Sequence, residues 1–93
     1  YRSREKLAWE FAGILNQEAK DLAAAGVDIM QFDEPAFTVF HDEANDWGIA
    51  ALERAASGLS SETAVHICYG YGIEANTTWK KTLGSEWRQY EET

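Results

Sequence analysis

The chain has 93 residues, 45% of them hydrophobic and 13% aromatic, with a single proline, a composition that fits a packed globular segment and excludes a disordered or low-complexity one. The 16 acidic residues against 8 basic ones leave a net charge of −8, which repels phosphate backbones and anionic headgroups, so neither nucleic acid nor a membrane surface is an expected partner. No apolar run approaches the roughly 20 residues that span a bilayer, the amino terminus lacks a signal-peptide core, and the lone Cys68 excludes an internal disulfide, so a cytoplasmic location is expected.

Ser3 is placed to cap a helix, and Leu7, Phe11, Ile14, Leu15 and Leu22 recur at helical spacing up to Gly26, a favourable residue just past a helix end. The spacing predicts a long amphipathic helix over 4–25. Val27 to Asp33 is short and mostly apolar, and Glu34-Pro35 closes it because proline has no amide to donate; a buried strand is expected there. A second helix should start between Asp42 and Asp46 and run through Ile49, Leu52, Ala56 and Leu59, with Gly58 near its end. Thr63 to Tyr69 reads as a second strand that breaks into Gly70-Tyr71-Gly72, and a third helix is expected from Ser85 through Trp87 and Tyr90.

The order is therefore α-β-α-β-α. Two strands joined through a helix run parallel, with their carboxyl ends on one side, and a parallel sheet needs further strands and cover on both faces. A complete (β/α)8 TIM barrel takes about 250 residues, so residues 1–93 are expected to be a single segment of such a barrel or of an open α/β sheet, incomplete on their own. The chain opens on Tyr1 without an initiator methionine and stops at Glu91-Glu92-Thr93 within a helical pattern, so both ends are expected to be cut. Unpaired strand edges and bare apolar helix faces would then favour poor solubility or self-association.

The carboxyl ends of parallel strands are where α/β folds build their sites, and here they carry Asp33-Glu34 and then His66, Cys68 and Tyr69. His66 and Cys68 are two apart, so strand alternation points both to one face, where one ion can touch both. Imidazole nitrogen and thiolate sulfur are preferred zinc ligands, and a tetrahedral site would need two more from elsewhere. Spacing alone leaves the alternative of a packed cysteine beside a hydrogen-bonded histidine. Asp33 shares its face with Gln31, opposite Met30 and Phe32; it suits an amino-bearing ligand or, equally, a simple loop cap. Glu34, on the other face, reads as structural. His41 lies in an acidic stretch and reads first as solvated, Trp79, Trp87 and Tyr90 read as core or interface, and Gly70-Tyr71-Gly72 falls short of a phosphate-binding glycine pattern.

Gln31-Phe32-Asp33-Glu34-Pro35-Ala36 followed by Val65-His66-Ile67-Cys68-Tyr69 resembles the catalytic barrel of cobalamin-independent methionine synthase. The likeness extends over the whole chain and is closest to the shorter, core-type members, particularly over His66 to Gly72 and Trp79 to Tyr90. The resemblance implies that His66 and Cys68 bind zinc, that Asp33 holds the amino acid homocysteine, and that a glutamate and a second cysteine beyond Thr93 complete the metal site. The implied reaction is methylation of the homocysteine thiol to give methionine. Long synthases place an acidic residue for folate shortly after Asp-Glu-Pro-Ala; here that stretch is Phe37-Thr38-Val39-Phe40, which leaves folate and corrinoid both open as methyl donors.

Two other readings stand beside this one. Related barrels include corrinoid-dependent methyltransferases and uroporphyrinogen decarboxylase, and the His-x-Cys pair favours the thiol methyltransferases over the decarboxylase. The third reading is a non-catalytic α/β module acting through its acidic surface, with Cys68 merely packed.

Overall fold

The computed structural model describes residues 2–68 together with residues 74, 77, 78, 81 and 82. The Gly70-Tyr71-Gly72 loop, the helix expected from Ser85, and Tyr69, Trp79, Trp87 and Tyr90 lie outside the described residues.

Helix α1 (Arg4–Ala24) begins where the sequence indicates. Ser3 is extended, at φ −139° and ψ 130°, and its hydroxyl accepts from the Lys6 amide at 3.3 Å, satisfying one of the first-turn donors that lack a partner within the helix. At the other end Gly26 adopts φ +102°, and the amides of Gly26 and Val27 donate back to the carbonyls of Ala23 and Leu22 at 3.1 and 3.3 Å, the paired closure of a Schellman turn. That turn consumes the Val27 amide. Strand β1 (Ile29–Glu34) consequently starts two residues later than the apolar run suggests.

The segment after β1 returns as helix: α2 (His41–Glu43), a π-helical turn over Ala44–Gly48, and α3 (Ile49–Ala56), continuous in backbone conformation. It starts at His41, one residue before the expected range, and the wide π turn is invisible to period counting. A Cβ on Gly48, within that turn, would stand 3.1 Å from Phe37 Cε1 and 3.5 Å from Ala44 Cβ, so a residue without a side chain lets the loop after β1 pack against the helix. Gly58, at φ +68°, follows the end of α3, and strand β2 is Glu62–Ile67.

β1 and β2 pair in parallel in the register Ile29↔Glu62 through Asp33↔His66 to Glu34↔Ile67. One further bond, from the Cys68 amide to the Glu34 carbonyl at 3.3 Å, follows the last pair, and Pro35 then supplies no donor to extend the ladder. Exposure alternates along β1: Met30 is 8% exposed and Phe32 and Glu34 are half-buried, whereas Ile29, Gln31 and Asp33 are exposed. The first set faces the helices, and the second faces the open side of the sheet. Two parallel strands with connecting helices are the repeating unit of a (β/α)8 barrel.

The apolar stripe expected to bury α1 does not form the core among the described residues. Leu7, Phe11, Ile14, Leu15 and Leu22 are 37% to 63% exposed, and the buried apolar residues are Ala12, Ala19, Met30, Ala44 and Ala55. The helices therefore meet through small side chains, which permit close approach. Gly13 belongs to the same contact: a Cβ there would lie 2.8 Å from Arg54 Nη2, and the Arg54 guanidinium sits 4.6 Å from the ring centre of Trp9, within cation–π range. Asn16 donates its amide to the carbonyls of Ala55 at 2.9 Å and Ser57 at 2.7 Å, tying α1 to the end of α3. At the opposite end Arg4 meets Glu43 at 3.0 Å, an exposed pair worth little by itself.

The Asn16 tie yields the first prediction. Asn16→Ala removes two hydrogen bonds to carbonyls at a helix end and should destabilise the fold by about 1 to 2 kcal/mol, seen as a lower urea midpoint with an unchanged slope. An unchanged midpoint would show that the tie contributes nothing to stability.

Candidate functional site

The site is built by strand pairing. Because Asp33 and His66 are register partners, their side chains leave the same face of the sheet side by side, and Cys68, two residues after His66, follows on that face. One ligand-capable atom from each of Asp33, His66 and Cys68 lies within 4.8 Å of the others. His66 Nε2 is 3.9 Å from Asp33 Oδ1, too long for a hydrogen bond yet close to the roughly 3.3 to 3.8 Å that separates neighbouring ligands around a tetrahedral zinc with bonds of about 2.0 to 2.3 Å. The side chains of His66 and Asp33 are 56% and 64% exposed, so the cluster is open to an incoming ligand.

These three residue types fit a divalent zinc-like ion. An imidazole and a thiolate are borderline-to-soft donors that zinc prefers, and a carboxylate completes a mixed set seen in catalytic sites. The sequence expectation that His66 and Cys68 share a face agrees with this placement. The resemblance gives Asp33 as a substrate contact; that its carboxylate stands within 4.8 Å of both other donors is decided by the pairing register. His41 is not brought to the cluster. It opens α2, with its Nδ1 3.4 Å from Asn45 Nδ2.

Glu34 points to the helix side, as expected for a structural role. Its Oε1 accepts from the Ala36 amide at 2.9 Å, which ties down the turn that leads out of β1. Burial pushes its carboxyl above the ordinary glutamate value, the backbone amides of Ala36 and Phe37 pull it back, and the neighbouring Asp33 charge adds to the rise. A cleft of about 600 Å3 lies on the helix side, lined by apolar groups such as Phe11, Leu15, Phe32, Phe37 and Trp47. It includes neither His66 nor Cys68. Among the described residues no helix is long and apolar enough to cross a membrane.

Comparison with known proteins finds similarity to one family. A family model described as "Cobalamin-independent synthase, Catalytic domain" matches residues 1–76. The methionine synthase of Saccharolobus solfataricus is 39% identical over 70 residues, which are 75% of this chain and 21% of that protein. That of Sulfurisphaera tokodaii is 37% identical over 70 residues, again 75% of this chain and 20% of the relative. The chain thus spans about a fifth of these curated relatives. Among solved structures, that of a B12-independent methionine synthase from Shewanella sp. W3-18-1, in complex with selenomethionine, is 82% identical with a TM-score of 0.84, covering 100% of this chain and 27% of that one.

If the three donors converge on one ion, zinc should shield the thiol. Alkylation of Cys68 by iodoacetamide is expected to slow at least several-fold when one equivalent of zinc is added, and to recover with a chelator. A rate indifferent to zinc would show that the sulfur is not a ligand.

Proposed function

The chain belongs to the cobalamin-independent methionine synthase family, catalytic domain, and from that premise we propose that it is one segment of a zinc-dependent barrel methyltransferase that converts homocysteine to methionine. The observation that carries the proposal is the convergence of Asp33, His66 and Cys68 within 4.8 Å at the carboxyl ends of two parallel strands. Residues 1–93 form a single part of the barrel. The remaining ligands come from strands outside the segment, a glutamate and a cysteine by the family resemblance.

His66, through an imidazole nitrogen, and Cys68, through its sulfur, would hold the zinc from one face of the sheet. Bound there, zinc supplies Lewis acidity that lowers the pKa of a ligated thiol, so that the substrate sulfur is a thiolate at neutral pH. Asp33 accepts hydrogen bonds from the substrate's ammonium group and thereby fixes the carbon chain between nitrogen and sulfur. The sulfur lone pair then attacks the methyl carbon of a folate or corrinoid donor, a carbon–sulfur bond forms as the bond to the donor breaks, and the donor leaves with that electron pair. Proximity of the two reactants supplies much of the acceleration. Glu34 keeps the exit turn of β1 in place through the Ala36 amide, so the Asp33 carboxylate is aimed by the backbone.

Three outcomes test this. Metal analysis of the complete protein should find about one zinc per chain, reduced to a small fraction by His66→Ala or Cys68→Ser; a protein without zinc would return the non-catalytic reading. Asp33→Asn should lower kcat/KM for homocysteine roughly 10- to 150-fold, the equivalent of about 1.5 to 3 kcal/mol for a hydrogen bond to a charged group, and an unchanged value would remove Asp33 from substrate binding. Residues 1–93 alone should give no methionine, and turnover by that segment would contradict the proposed division of the site.

A further inference from the structure

We infer that the Gln31 carboxamide is a positioning group that joins the two halves of the site: its oxygen accepts a hydrogen bond from the Nδ1–H of His66, and its nitrogen donates one to the Asp33 carboxylate. The inference rests on the reading of His66 as a metal ligand and of Asp33 as the partner of the substrate's ammonium group, and assigns Gln31 a role that neither reading contains.

Placement makes the first half of the case. Gln31 lies on the open face of the sheet, two residues before Asp33, and its register partner is Ala64, two residues before His66. Two steps along a strand cover about 6.6 Å and neighbouring strands lie about 4.8 Å apart, so the diagonal from Gln31 to His66 is about 8 Å at the backbone. Same-face neighbours at such spacings are within reach of a long side chain. Ala64 presents only a methyl group, so the space that the Gln31 side chain must cross carries no competing group from β2.

Hydrogen-bond accounting makes the second half. His66 turns its Nε2 toward the cluster, 3.9 Å from Asp33 Oδ1, which leaves Nδ1 to keep its proton once an ion takes Nε2. A metal-bound imidazole donates that remaining N–H to an oxygen, which fixes the ring; among the described residues His66 Nδ1 has no such acceptor. Gln31 is exposed and makes no hydrogen bond among the described residues, yet it lies on the face that a complete barrel closes into its interior. A carboxamide enclosed there without partners is costly. Its apolar neighbours on that face, Ile29 and Ala64, offer none, and Glu62, on the opposite diagonal, can only accept. Asp33 and His66 together present one acceptor and one donor, which a carboxamide, with its oxygen and its NH2, satisfies at once. The same contact that orients the imidazole therefore also orients the carboxylate, and couples the aim of the substrate's ammonium group to the place of the metal.

The test uses the complete protein with two substitutions at Gln31. Gln31→Met keeps the side-chain length and removes both polar groups, so zinc affinity in chelator competition is expected to fall roughly tenfold. At saturating zinc the same variant should show a KM for homocysteine raised several-fold, and adding it to Asp33→Ala should raise KM no further, because the carboxylate it positions is gone. Gln31→Glu gives His66 an acceptor again and should return zinc affinity to the wild-type level or above, a rescue that restored packing alone does not produce. A wild-type value of either zinc affinity or KM in Gln31→Met, or zinc affinity left low in Gln31→Glu, overturns the bridge. Zinc retained by His66→Ala, or an unchanged KM in Asp33→Ala, overturns instead the site reading beneath it.

Discussion

Everything at the site depends on one parallel ladder. The register that pairs Asp33 with His66 decides that a carboxylate and an imidazole emerge together, and the two-residue step to Cys68 adds the sulfur on the same face. A shift of β2 by a single residue would turn His66 and Cys68 to the helix side and present Val65 and Ile67 in their place. The chemistry of the three residues would survive such a shift, but their convergence would not.

The ladder is held by what lies behind it. Met30, buried on the helix side, and half-buried Phe32 fix which face of β1 turns inward, and the Schellman closure at Gly26 sets where β1 begins relative to α1. The helices are joined through alanines, Gly13 and the Asn16 tie. The large apolar groups of α1 are left on the surface, facing an open cleft or solvent. A segment that keeps its small residues inside and its large ones outside has the character of one wedge of a barrel, in agreement with its spanning 27% of the Shewanella structure.

The sequence foretold the order of elements well because its signals were local. Ser3 and Gly26 marked both ends of α1 by their own chemistry, Pro35 stopped β1, and β-branched residues marked β2. The proposed ligands His66 and Cys68 could be singled out because alternation along a strand is also local. What the sequence concealed was relational. The pairing register that adds Asp33 to the cluster is a property of two strands nearly thirty residues apart; the π turn over Ala44–Gly48 brings Gly48 against Phe37 from the preceding loop; and the surface position of Phe11, Ile14 and Leu15 depends on which partner α1 meets. Hydrophobic periodicity shows that a helix has an apolar side, but not that its closest neighbour will dock on the alanines.

The claim that matters most is that one ion is shared by His66 and Cys68. Extended X-ray absorption fine structure at the zinc edge of the complete protein measures it directly. The account predicts nitrogen or oxygen scatterers near 2.0 to 2.1 Å and sulfur near 2.3 Å, with one sulfur lost in Cys68→Ser and the imidazole signature lost in His66→Ala. A shell without sulfur, or one that neither substitution alters, would contradict it.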